Sequence, residues 1–305
     1  MSRLFLLGCL IVSVTVGASS PADADNLRRL EGASPWHLSY AEDSCRIVRQ
    51  FGGEDEQITL ILDRYAPGDR FYLVLAGHPL RHARPDRGAL VRFGDYEAEQ
   101  RVPFERASLG DLPAMVFSSS MKIGPPVERD DHEADDGEDA VEERAERAAD
   151  RIAPERYRNA RYIWFNTRGM TPTRLESGPM ENLFSSFDAC LDELLNHWGI
   201  DVEAHRSLKY APLPISNPAR WLDSGDYPRT ALRRGEQALV HFRLSVDAEG
   251  QPTDCHIQRS TQGTGFAEAA CIALIENARF LPAQDAEGNL IASYYVSSVF
   301  FTMQR

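Results

Sequence analysis

The chain has 305 residues, of which 43% are hydrophobic and 26% charged, enough for two ordinary domains with apolar cores. A formal net charge of −13 excludes a nucleic-acid binder, which needs clustered Lys and Arg against phosphate. Between Glu128 and Arg151 stand 12 acidic side chains and 4 arginines, a net charge of −8, so the remainder is close to neutral and no acidic whole-protein role is indicated.

Arg3 precedes an apolar run from Leu4 to Val16 that ends in the small residues Gly17 and Ala18. This is the layout of a secretory signal, read as residues 1–18, and Ala22-Asp23-Ala24 offers a second cleavage site. The run is shorter than the roughly 20 residues that span a bilayer. The alternatives are an uncleaved anchor in the inner membrane, facing the periplasm, and a lipoprotein box at Leu6-Leu7-Gly8-Cys9. Cleavage would remove Cys9 and leave Cys45, Cys190, Cys255 and Cys271, an even number that suggests disulfides in an exported chain. Sequence alone leaves three connectivities open.

From Trp36 to Phe117 short apolar runs predict strands at 44–51, 57–62, 71–75, 89–93 and 114–118, with Pro67-Gly68-Asp69 as a turn. The acidic stretch 128–151 reads as a solvated insertion, with a frayed helix over 140–152. A strand resumes at Tyr162-Ile163-Trp164-Phe165. After Pro179, Leu183, Phe184, Phe187, Leu191, Leu194, Leu195 and Trp198 form one stripe of helical period, ended by Gly199. The expectation for 26–206 is a β-rich domain closed by one helix. Pro212, Pro214 and Pro218 mark a linker over 207–218.

The second domain is expected over 219–305. Arg229 to Arg234 forms a helical turn stopped by Gly235. Ala238, Val240, Phe242, Leu244 and Val246 alternate with Leu239, His241, Arg243 and Ser245, a strand with one buried face. Asp247-Ala248-Glu249-Gly250 makes a hairpin turn to a return strand over 253–260. A helix over 266–277 and a strand over 291–303 complete the unit. Cys255 shares a strand face with Ile257, the face the helix must cover, and Cys271 sits near mid-helix. A bridge between them is therefore geometrically allowed and would contribute roughly 3 kcal/mol. Cys45 and Cys190 would then pair within the first domain. Buried free thiols are the alternative for both pairs.

Tyr227-Pro228-x-x-Ala231-Leu232-Arg233-x-Gly235, the Val240-to-Gly250 hairpin, Ser260-Thr261-Gln262-Gly263, Phe266-x-x-Ala269-Ala270 and Ala278-Arg279-Phe280-x-Pro282-Ala283 follow one another over about 80 residues. In that order they resemble the C-terminal domain of TonB-type energy transducers. The resemblance implies a three-stranded antiparallel sheet covered by a helix, giving an α+β chain overall. It also implies that an edge of the sheet pairs with a short peptide of an outer-membrane receptor by β-strand addition. Tyr294, Val296, Ser298 and Phe300 on the last strand are the candidate partner-binding residues, and a homodimer is a further partner state left open. The resemblance covers a little over a quarter of the chain. It departs from a true transducer in two ways: Leu4 to Ala18 holds no His to couple to a motor, and a globular domain stands where a long Pro-rich rod would. The first domain resembles domains that precede such modules in some exported bacterial proteins.

No Gly-x-Ser-x-Gly elbow, Walker loop or His-Glu-x-x-His is present. His78-Pro79-Leu80-Arg81-His82 reads as a surface loop, because Pro79 spoils helical presentation of its two imidazoles. His241 and His256 are expected on the open face of the C-terminal sheet, as polar surface or as a metal pair. Arg279, Phe280 and Pro282 read as fold determinants. No catalytic, cofactor or metal residue is assigned. The resulting expectation is a periplasmic binding protein that touches a membrane only if its N-terminal helix stays uncleaved. The alternatives are a true energy transducer held by that helix, and an enzyme carried by the first domain.

Overall fold

The computed structural model describes residues 26–124 and 154–303. The expected signal at 1–18, the acidic insertion at 128–151 and the frayed helix expected over 140–152 lie outside the described residues. In chain order the first strands are β1 (Arg28–Glu31), β2 (His37–Tyr40), β3 (Cys45–Phe51), β4 (Ile58–Arg64), β5 (Tyr72–Ala76) and β6 (Ala89–Phe93). They are followed by β7 (Gln100–Val102), β8 (Phe104–Leu109), β9 (Leu112–Phe117), α1 (Pro154–Asn159), β10 (Ile163–Asn166), β11 (Thr173–Glu176), α2 (Glu181–His197) and α3 (Val202–Arg206). Two sheets result, one in the order β2-β3-β4-β5-β9-β8 and one in the order β1-β11-β10-β6-β7.

One apolar core ties both sheets to α2. It includes Ile47, Leu60, Leu62, Leu73 and Leu75 from the six-stranded sheet and Val91, Phe93, Ile163 and Phe165 from the five-stranded one. From α2 it takes Phe184, Phe187, Leu191 and Leu194, the stripe that the 3.6-residue period placed on one side. Cys45 on β3 is bonded to Cys190 on α2, and both are enclosed. Arg64, at the end of β4, is buried with its guanidinium 4.8 Å from the Phe184 ring and 5.0 Å from that of Phe187. Its Nη1 donates to Asp188 Oδ1 at 3.0 Å, so this core accepts a cation by stacking it on aromatic faces.

The C-terminal part contains β12 (Leu213–Pro214), α4 (Arg229–Arg234), β13 (Ala238–Val246), β14 (Pro252–Ser260), α5 (Thr264–Asn277), β15 (Phe280–Leu281), β16 (Ala283–Gln284), β17 (Leu290–Ile291) and β18 (Ser293–Phe301). The chain is thus α+β, mostly strand, with five α-helices among the described residues. Three long strands form an antiparallel sheet in the order β14-β13-β18. Its second core is separate from the first and gathers Val240, Phe242, Leu244 and Val246 with Phe266, Ala270 and Leu274 of α5. Trp221, Phe280 and Phe301 belong to it as well. Gly235 ends α4 in the left-handed region, with φ 68°. Gly250 closes the β13–β14 turn at φ 78°, where a Cβ would run into the Phe280 carbonyl. Cys255 on β14 is bonded to Cys271 on α5.

The segment read as a linker is hydrogen-bonded to the C-terminal part. Leu213 and Pro214 pair with Leu281 and Phe280, and Lys209 N donates to Gln284 O at 2.9 Å.

Candidate functional site

The C-terminal sheet is the element around which functional geometry gathers, and it has two faces and two edges. Alternation on β13 sends Val240, Phe242, Leu244 and Val246 to the helix side, so Leu239, His241, Arg243 and Ser245 face the other way. That second face was expected to be open. It is covered instead by the outer face of the six-stranded sheet. The reason lies in β4 and β5. Ile58, Leu60 and Leu62 enter the N-terminal core, while Thr59, Ile61 and Asp63 of β4 and Val74 of β5 point away from it and are nonetheless buried. A strand buried on both sides needs a second layer, and the C-terminal sheet supplies it.

The seam between the two sheets is polar and aromatic. His241 is 4% exposed, stacked on Tyr65 with ring centroids 4.4 Å apart and met edge-on by Tyr72, also at 4.4 Å. Burial, with the Arg259 charge adding to it, pushes the His241 imidazole down to about 3, so it is neutral here. Burial and then the Asp63 charge push the Tyr65 phenol up to about 12. Asp63, 1% exposed, accepts two bonds from Arg46 at 2.6 and 2.8 Å and one from Arg259 at 3.0 Å. Its hydrogen bond is the main reason the Arg46 guanidinium is held above its usual range.

A β-bulge in β14 brings Arg259 here. Between His241 and Phe242 the pairing with β14 skips Gln258, so Gln258 and Arg259 together oppose one residue and both reach the seam. Gln258 Nε2 donates to the carbonyls of Asp43 and Tyr65, each at 3.1 Å. His256 Nε2 lies 2.9 Å from Asp43 Oδ1, off the line a hydrogen bond needs. Arg243 stacks its guanidinium 4.1 Å from the Trp198 ring, and burial lowers its affinity for the proton.

The four residues expected to meet a partner sit on this same face. Tyr295, Val299 and Phe301 of β18 pack with the helix-side core, which turns Tyr294, Val296, Ser298 and Phe300 toward the seam. Tyr294 lies between Trp198 (5.5 Å) and His205 (5.8 Å), and its phenol is raised by burial. Ser298 Oγ accepts from the Tyr72 hydroxyl at 3.1 Å. Tyr294 and Ser298 are therefore engaged by the protein's own N-terminal part, and Val296 and Phe300 are half-buried. What β18 keeps unpaired is its outer backbone edge, since no described strand lies beyond it in the sheet.

The two edges differ. β14 begins with Pro252, carries Asp254, His256 and Arg259, and is irregular in register at two places. β18 reads Ser-Tyr-Tyr-Val-Ser-Ser-Val-Phe-Phe and pairs with β13 over nine residues without a register shift. Pro, charge and bulges are the devices that blunt a sheet edge, and β18 has none of them.

Elsewhere the expected sites are not brought together. His78 sits in a one-turn helix, and His82 Nε2 accepts from the neighbouring Arg81 Nε at 3.0 Å. His241 and His256 lie in non-adjacent register on β13 and β14, each engaged by different N-terminal residues. Among the described residues no group of three His, Cys, Asp or Glu could hold a metal ion, and no helix is long and apolar enough to cross a membrane. Over the Cys45–Cys190 bridge a shallow pocket of about 280 Å³ is lined by Tyr40, Glu42, Glu193 and His197.

The C-terminal part is thus a three-stranded antiparallel sheet with one helix across one face and one unguarded edge. Residues 224–301 match the family model of the Gram-negative bacterial TonB protein C-terminal, so this part of the chain is a TonB-like C-terminal domain. Among curated proteins, none matches the chain.

Proposed function

We propose that this is a periplasmic, envelope-associated protein whose TonB-like domain captures a partner polypeptide by adding a strand to the outer edge of β18. The partner class is an extended periplasmic segment of an outer-membrane transport receptor. The observation that carries this reading is the contrast between the edges: β14 is guarded, whereas β18 offers nine residues free of charge, Pro, Gly and bulge. Backbone hydrogen bonds would supply affinity, so the burial of Tyr294 and Ser298 in the seam does not oppose it. Two disulfides suit an oxidising compartment and support export. The division that fits this reading is a signal at 1–18, an exported domain over 26–206, a connection over 207–218 and the binding domain over 219–305.

The test is to titrate the oxidised protein with a synthetic peptide from the periplasm-facing segment of a receptor of the same cell, following backbone amides by NMR. Shifts concentrated in 293–301 are expected. Shifts on 252–260, or none at millimolar peptide, would sink the reading. Sedimentation at the same concentrations tells whether a second copy occupies the edge instead.

A further inference from the structure

We propose that the seam between the two sheets is an acid-released latch, by which the C-terminal domain swings off the N-terminal sheet when His241 takes up a proton. The inference concerns regulation of the seam and stands whether or not β18 binds a receptor.

Three observations carry it. The first is that each part has its own closed core, so undocking exposes neither: the cores share no residue, and each has its own disulfide. Interfaces between self-contained units are mobile by default unless large and apolar. The second is the poor satisfaction of the seam. Of the ten buried side-chain N and O atoms without a hydrogen-bond partner among the described residues, four with no ion-pair partner either are there: Trp198 Nε1, His241 Nδ1, Arg243 Nη1 and Gln258 Oε1. Each would gain water on opening, which lowers the cost of release. The third is a pivot. α3 is bonded to α2 through the Arg206–Asp192 ion pair, and Ser207 N donates back to Glu203 O at 3.3 Å. Lys209 is already bonded to Gln284 of the C-terminal part. Leu208 alone separates the two.

His241 is the group whose charge the docked state cannot hold. Facing it are the rings of Tyr65 and Tyr72 from the N-terminal sheet, Arg259 from β14 and Ser298 from β18. The seam carboxylate of Asp63 is already engaged by Arg46 and Arg259. A proton on His241 would sit against Arg259 with no acceptor of its own. On opening, the imidazole becomes solvated and regains its ordinary range near 6.5.

The sign follows. Docked, the group titrates near 3, and undocked near 6.5. Above pH 6.5 His241 has no effect on docking. Between 6.5 and 3 each lower pH unit raises the open-to-docked ratio by about tenfold, so at pH 5 it stands about 30-fold above its neutral value. Removing the Asp63 charge by substitution would act in the same direction, by freeing Arg46 and Arg259.

Small-angle scattering of the full chain from pH 7.5 to 4 tests the latch, with circular dichroism to follow the two cores. Three variants accompany the wild type: Asp63→Asn, His241→Phe and the two combined. His241→Phe keeps a ring between Tyr65 and Tyr72 but cannot be charged. The wild type should expand as pH falls while its dichroism stays native, and Asp63→Asn should expand at higher pH. Either variant carrying His241→Phe should lose the tenfold-per-unit dependence. Three results would each overturn the latch: no expansion of wild type or Asp63→Asn by pH 4, expansion only together with loss of secondary structure, or an unchanged pH profile in the His241→Phe variants.

Discussion

The two sides of β13 are built by different rules. On the helix side, Val240, Phe242, Leu244 and Val246 are at most 1% exposed and join Phe266, Ala270 and Leu274 in one apolar core. On the other side, His241 meets the Tyr65 and Tyr72 rings and Arg243 stacks on Trp198, while Gln258 and Arg259 of β14 add hydrogen bonds of defined direction. Burial without direction holds the first side wherever carbon fills the space. The second side depends on distance and angle at each contact, and four of the ten buried polar atoms left without a hydrogen bond among the described residues are found there with no ion-pair partner either. A single strand thus belongs to a permanent core and to a contact that can be remade.

The largest test of this contrast is on the core side. Phe242→Ala should cost about 3–5 kcal/mol, read as a shift of the denaturant midpoint of the C-terminal transition. A cost under about 1 kcal/mol would mean that the helix side is no drier than the seam.

The disulfides sharpen the comparison from another direction. Cys45 and Cys190 are 1% and 2% exposed, whereas Cys255 and Cys271 are only half-buried. Mild reductant followed by alkylation should therefore label Cys255 and Cys271 first, as read by peptide mass. The chain with Cys255→Ala and Cys271→Ala should lose about 3 kcal/mol, the entropy of closing that short loop. Equal labelling of all four cysteines would erase the distinction between an enclosed staple and a reachable one.

Smallest is the single hydrogen bond from Tyr72 to Ser298. Tyr72→Phe should weaken docking by about 1 kcal/mol with both cores untouched. A double-mutant cycle with Ser298→Ala isolates that bond. A coupling near zero would remove it from the seam's energetics.

Much of this architecture is legible in the residues. The alternation from Ala238 to Val246, the Gly250 turn and the stripe from Leu183 to Trp198 each carry their own period, and the elements form within a residue or two of where that period ends. Short charged strands were not legible. β1 (Arg-Arg-Leu-Glu) and β11 (Thr-Arg-Leu-Glu) each bury one leucine, and no local pattern survives over four residues that pair in parallel with a distant segment. The seam has a local signal in β4. Ile58-Thr59-Leu60-Ile61-Leu62 carries no charge and lacks the polar alternation of a one-sided strand, and in β4 all seven residues are buried, the mark of a strand covered on both faces. Nothing local in the sequence could have said that the cover was the protein's own C-terminal sheet, since Asp63 and Arg259 lie 196 residues apart. The unguarded edge of β18, by contrast, is written plainly in nine uncharged residues.

The short pairing of Leu213 and Pro214 with Leu281 and Phe280 also decides where the C-terminal module can be cut out as a working fragment. Trp221 is 2% exposed, rests 5.4 Å from Phe280 and 5.7 Å from Tyr295, and its carbonyl accepts from Asn277 at 2.9 Å. A clone started at residue 224, where the family match begins, would leave the indole and the pairing strand behind and uncover the floor beneath Phe280. One started at Lys209 takes both along. The matched unit is therefore smaller than the packed unit, and the difference includes a buried tryptophan and one short strand.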